Sequence, residues 1–111
     1  MRFKKWKPPK MKHGKLTKWN WLPYYPENIK ICQGVDIGAF TFLQGENGIY
    51  IGHYTQIGSH CSIFSEDTER GISGNIHIAP FTKIGAHSVI LPKSNQTHII
   101  SGNIKAGSVV F

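Results

Sequence analysis

Six histidines are the side chains of this chain best suited to exchange protons near neutral pH, and two of them share a place in a repeat. His60 and His87 each stand three positions after an isoleucine, Ile57 or Ile84, in the segments IGSHCS and IGAHSV. An imidazole projecting from such a place can act as a general base, taking the proton of a hydroxyl or amine as that group becomes a nucleophile. His60 is the first candidate for the role and His87 the second, against the plainer role of a packed or hydrogen-bonded contact. The other four invite less chemistry. His13 sits in a lysine-rich stretch and is expected in solvent, His53 follows Ile51-Gly52 and is expected to point outward, and His77 and His98 are expected on the surface flanking strands.

The elements that must hold these residues follow from the repeat itself. The segments IGAFTF, IGHYTQ, IGSHCS and IGAHSV share an aliphatic residue, a glycine, two free positions and a small residue, and IAPFTK and IKAGSV are looser copies. A coil of three short strands per turn explains the spacing. The aliphatic residue faces the axis, and the small residue four positions on (Thr41, Thr55, Cys61, Thr82, Ser88 or Ser108) faces inward at a crowded corner. The glycine is expected to ease the bend. Counting along the chain stacks Ile37, Ile57, Ile84 and Ile104 on a first face, Leu43, Ile63, Ile90 and Val110 on a second, and Ile51 and Ile78 on a third. His60 and His87 then lie one coil apart on the outside, separated by about one strand spacing of 4.7–4.9 Å.

The register slips at one corner only, between the second and third faces. Two extra residues fall near Gly45 to Tyr50, nine between Ser65 and His77, and about two between Lys93 and His98. Repeat proteins often carry their insertions on the binding face. Gln44, Glu46 and Asn47 on the shorter loop, with Glu66 and Asp67 on the longer one, are therefore the candidate substrate-binding residues, and Glu69 lies on the same loop. A carboxylate there can orient an imidazole or accept hydrogen bonds from hydroxyls; a solvated loop charge is the alternative. Asp36 reads equally as a turn residue or a ligand, and Cys61 as core.

These features predict an all-β fold: a left-handed parallel β-helix of hexapeptide repeats, with residues 31–111 forming the helix and residues 1–30 a basic, aromatic arm. The alternation and turn clusters of a β-sandwich are missing from the pattern. Eight of the 13 basic residues, Arg2 to Lys18, lie in the arm, so the net charge of +7 belongs to it and the remainder is nearly neutral. The arm is expected to drape Trp19, Trp21, Leu22, Tyr24 or Tyr25 over the first coil and cap its open end. Contact with an anionic membrane surface is the lesser alternative, and no nucleic acid is expected. Two cysteines make no disulfide framework and no zinc spacing, which fits a reducing, cytoplasmic setting. The N-terminus lacks the apolar run of a signal peptide, and no segment has the length of apolar sequence that spans a bilayer.

The run GNIHIAPFTKIGAHSVILP resembles the signature of hexapeptide-repeat acyltransferases, and DIGAF, IGSHCSIFS and the loop ending at Gly74 resemble the sugar and nucleotide-sugar acetyltransferases of surface-polysaccharide pathways. The resemblance covers about two thirds of the chain. It implies transfer of an acetyl group from acetyl-CoA to a hydroxyl or amine of a sugar or nucleotide sugar, in a homotrimer whose sites lie between neighbouring subunits, with a histidine as base. It also implies that Gly85, Ala86 and Ser88 lie where the CoA pantetheine arm runs along exposed backbone. In the maltose and galactoside acetyltransferases the catalytic histidine follows the second-face strand, and its place here falls at Thr68. That departure, with a chain ending at Phe111 and lacking the family's further coils, keeps a second reading open: a non-catalytic trimeric scaffold. No metal site is expected, the minor alternative being a cross-subunit histidine site of the kind found in γ-carbonic anhydrases, which share the fold.

Overall fold

The computed structural model describes residues 5–111, so Arg2 and Lys4 of the basic run lie outside the described residues. The first coil comprises β1 (Leu22–Tyr24), a 3-10 turn (Pro26–Asn28), β2 (Ile29–Ile31) and β3 (Asp36–Ile37). The second comprises β4 (Phe42–Gln44), β5 (Ile49–Ile51) and β6 (Gln56–Ile57). In the third, β7 (Ser62–Phe64) leads to a small antiparallel hairpin of β8 (Glu66–Asp67) and β9 (Ile72–Ser73), then to β10 (Ile76–Ile78) and β11 (Lys83–Ile84). The fourth holds β12 (Val89–Ile90), β13 (His98–Ile100) and β14 (Asn103–Ile104), and β15 (Val109–Val110) begins another turn. Every strand but the hairpin pairs in parallel with its counterpart one coil away, giving three faces and a parallel β-solenoid of about four turns. No helix of the described residues is long and apolar enough to cross a membrane.

The registers match the counting. Ile37, Ile57, Ile84 and Ile104 are consecutive partners on the first face, and Leu43, Ile63, Ile90 and Val110 on the second. Leu43, Ile51, Ile63, Ile78 and Ile90 are fully buried. The insertions all leave between the second and third faces, where a loop breaks no ladder.

Three features differ from the expectation. The solenoid begins at Leu22, upstream of position 31: Pro23 pairs with Leu43 as an inward residue, and Ile29 and Ile31 pair with Ile49 and Ile51. These strands lack the Ile-Gly marker, yet they bury the same apolar column. Second, each third-face strand has two inward residues, because side chains on one face recur every two residues. The column Ile29, Ile49, Ile76 continues into His98, which is only 4% exposed rather than on the surface. Third, the repeat glycines are not the bend. A Cβ on Gly58 would meet the backbone N and Cα of Ala86 at 2.6 and 2.8 Å, and one on Gly38 the N of Ser59 at 2.5 Å. Glycine is needed there because the next coil passes directly above it. The bend itself lies two residues on, at left-handed Phe40, Tyr54, His60, Phe81 and His87.

The small inward residues also have a chemical task. At a corner the carbonyls turn away from the ladder, and buried acceptors need donors. Thr41 Oγ1 donates to Gly58 O at 2.8 Å, Thr55 Oγ1 to Ala79 O at 3.1 Å, and Ser88 Oγ to Lys105 O at 3.2 Å. The arm closes the N-terminal end with Trp21 and Thr17 buried, and Thr17 Oγ1 accepts from the backbone N–H of Trp21.

Candidate functional site

His60 and His87 stack at the corner leading from the first face to the second. Their ring centroids are 4.9 Å apart and their planes differ by 9°, so the imidazoles inherit the spacing of the coils. Both backbones are in the left-handed region, at φ of 57° and 61°, and are held by hydrogen bonds from His60 N to Ala39 O and His87 N to Ser59 O, each 3.0 Å. This conformation throws the side chain outward, and both residues are exposed. Phe40 occupies the same place one coil earlier, 5.3 Å from the His60 ring and 58% exposed. The column thus presents one apolar and two basic rings to the outside. A second corner carries Tyr54 and Phe81, stacked at 5.5 Å and 41% and 69% exposed. Phe40 and the Tyr54–Phe81 column were not singled out from the sequence, although the free positions of the repeat, F, Y and F, carried the signal.

Beside the histidines, on the first face, runs a shallow groove of about 400 Å³ lined by Gly58, Gly85 and Ala86 along one edge and by Gln56, Lys83 and Asn103. Gly85 and Ala86, two residues of the implied pantetheine path with small or no side chains, belong to its lining. Ser88 does not: it is fully buried, turned inward with its hydroxyl on Lys105 O, because the small corner position of the repeat is a core position.

The loop corner gathers most of the other candidates around a residue the sequence reading passed over. Ser65 is fully buried; its Oγ accepts from Asn47 N and donates to Gln44 Oε1, both at 2.8 Å, and its carbonyl accepts from Asn47 Nδ2 at 2.9 Å. Gln44 Nε2 donates to Glu46 Oε1 at 3.1 Å. A hydrogen bond shared with Glu46, and then the like charge of Glu46, push the Glu66 carboxyl above its ordinary range. Gln44, Glu46, Asn47 and Glu66 thus form one network. Asp67 stands apart from it. Its Oδ2 accepts from Arg70 Nε at 2.5 Å and its Oδ1 from Arg70 N at 3.2 Å, and these bonds hold its carboxyl below the usual range. Arg70 also donates to Pro92 O and lies over the Phe111 ring, so Asp67 fastens the hairpin to the last turns of the coil.

The histidines and the loop carboxylates stand at different corners of the coil, with β7 between them, while Asp36 of β3 belongs to the lining of the groove. Six residue steps lead from His60 through β7 to Glu66, and at about 3.3 Å each they span up to roughly 20 Å. Thr68 lies exposed in the hairpin.

The other histidines are each accounted for locally. His13 Nδ1 accepts from Tyr25 N at 2.9 Å and its ring packs on Tyr24, so it ties the arm to the first coil. His77 stacks on Tyr50 at 4.5 Å. His98 Nδ1 is 2.7 Å from the carbonyl of Leu91, which can only accept, so that nitrogen carries the proton. His53 is exposed. Cys61 is 1% exposed, its Sγ lies 3.3 Å from Gly85 O, and burial pushes its thiol up, which suits core packing rather than nucleophilic attack. Among the described residues no group of three or more His, Cys, Asp and Glu side chains is placed to hold a metal ion. Compared with known proteins, the chain matches no family model, no curated protein and no solved structure.

Proposed function

We propose that the protein is a homotrimeric, cytoplasmic acetyltransferase that moves the acetyl group of acetyl-CoA to a hydroxyl or amine of a sugar or nucleotide sugar, with His60 as general base. The observation that carries this reading is the outward, stacked His60–His87 pair next to a groove lined by the small residues Gly58, Gly85 and Ala86. Such a groove suits a thin, extended chain, and its lining includes one cation, Lys83, and one carboxylate, Asp36. Acetyl-CoA would supply the activated acyl group. His60 takes the acceptor's proton as the acceptor attacks and returns it to the departing thiolate. His87, parallel to it, limits the ring's rotation. Exposed Phe40, Tyr54 and Phe81 give a neighbouring subunit apolar surface to cover. A neighbour also offers the way to set a carboxylate corner opposite the histidines, which one chain keeps apart.

The test is calorimetry of acetyl-CoA with the full chain, alongside its solution mass and an assay of thiol release over a panel of sugars and nucleotide sugars. Saturable binding to a trimer, lost in Ala86→Glu, with turnover falling about 10²- to 10⁴-fold in His60→Ala, supports the proposal. Turnover unchanged in His60→Ala removes it as base. The separation of histidines from loop carboxylates, and Thr68 in the hairpin, favour one alternative, a non-catalytic trimeric scaffold; a trimer that does not bind acetyl-CoA would establish that alternative over the enzyme.

A further inference from the structure

The arm does more than cover the end of the solenoid. Between segment 5–10, the turn from Thr17 to Trp21 and the first coil lies a cavity of about 660 Å³. Its apolar walls are the half-buried Trp6, Pro9, Trp19 and Ile31, over a floor of core in which Trp21, Val35 and Ile37 are 2%, 4% and 3% exposed. Its rim carries Lys5, Lys7, Lys10 and Lys18, and among the described residues no carboxylate belongs to its lining. The outer wall is fixed rather than draped, since Trp6 Nε1 donates to Val35 O at 2.9 Å. The ammonium of Lys18 stands 5.2 Å from the centre of the Trp19 ring at the same mouth.

Cavities that hold small molecules run to about 300–1,000 Å³ and combine apolar walls with a few placed polar groups. Four cations around one apolar hollow repel each other, and an anionic group between them turns that repulsion into attraction. The shape selects against larger partners. An anionic bilayer takes up protruding apolar rings, and a nucleic acid strand stacks on open ring faces. Here Trp21 is sealed, Trp6 and Trp19 are half-buried, and the apolar surface is concave. We propose that this cavity binds a small amphipathic anion, with an aromatic or short acyl body in the hollow and a phosphate, sulfonate or carboxylate at the lysine rim. This site is separate from the histidine corner and does not depend on acyl transfer.

The probe is 1-naphthyl phosphate, titrated into the full chain by calorimetry beside 1-naphthol and inorganic phosphate. The expected result is saturable one-site binding, at least about tenfold tighter than either fragment, because only the intact probe uses the apolar walls and the rim together. Replacing Lys10 and Lys18 together by Gln should weaken it by about tenfold or more. Replacing Lys12 and Lys15 together by Gln changes the arm's charge equally but leaves the lining intact, and should leave affinity within about twofold. All four lysines are exposed, so each variant keeps its core. Equal losses in the two double variants would reduce the effect to diffuse charge and overturn the site. So would a probe bound no tighter than its fragments, or a chain that ignores the probe and binds phosphatidylserine vesicles instead.

Discussion

Replacing Gly58 by Ala isolates the force that makes the repeat glycine necessary. If the glycine served the bend, an alanine would cost about 1 kcal/mol, the usual penalty of a residue forced out of its preferred conformation. The coordinates give a larger cost. The new methyl carbon would lie 2.6 Å from Ala86 N, 2.8 Å from Ala86 Cα and 3.1 Å from Gly85 C, all backbone. That backbone is pinned by bonds from Gly58 N to Ile84 O at 2.8 Å and from His87 N to Ser59 O at 3.0 Å, so relief means prising two coils apart. Overpacking a tight core typically costs 1–3 kcal/mol, and rigid backbone on the far side places this case near the top, at about 3 kcal/mol. For a chain of this length that lowers Tm by about 12 °C. Gly107→Ala is the control: its φ of +75° is left-handed, but a Cβ there meets nothing within 4 Å. It should cost only the conformational penalty, about 1 kcal/mol and about 4 °C. Urea and thermal unfolding followed by circular dichroism would measure both. A Gly58→Ala variant no less stable than Gly107→Ala would refute the close-approach argument.

The loop corner offers further tests. Ser65→Ala leaves Asn47 N and Gln44 Oε1 without their buried partner and should destabilise by about 1–3 kcal/mol, with faster hydrogen exchange at Asn47 as the local sign; unchanged exchange would count against the network. Glu66 has a raised carboxyl, so the unfolded chain releases that proton first and the folded state loses stability as pH climbs above about 4. Glu66→Gln should therefore raise Tm at pH 7 and leave it unchanged at pH 4. Asp67 is the reverse case: its lowered carboxyl contributes stability above about pH 4 that fades as pH falls below that value. Asp67→Asn should speed exchange of the Arg70 amide at pH 7 but not at pH 2.

The lysine-rimmed cavity gives the basic arm a place in the molecule distinct from that of a charged tail. Residues 5–10 cross to the core through one indole bond, Thr17 and Trp21 seal the first coil, and His13 receives the Tyr25 amide. The charge is thus gathered around a hollow rather than spread along a free chain.

A period of six with aliphatic, small and glycine positions is visible in the sequence because each coil must repeat the same inward contacts. It determined the three faces, the shared corner of the insertions, the burial of Cys61 and the adjacency of His60 and His87. Irregular copies escaped it. Pro23 and Ile29 lack the glycine marker, and His98 is a polar residue in an aliphatic column, placed there by its pairing with Ile76. Only the tertiary structure decided the rest, because it depends on contacts between coils. Those contacts reassigned the glycines from bending to close passage, turned Ser88 into the core, and made Ser65 the centre of the loop network. They also tied Asp67 to Arg70, and set the histidines and the loop carboxylates at opposite edges of the second face.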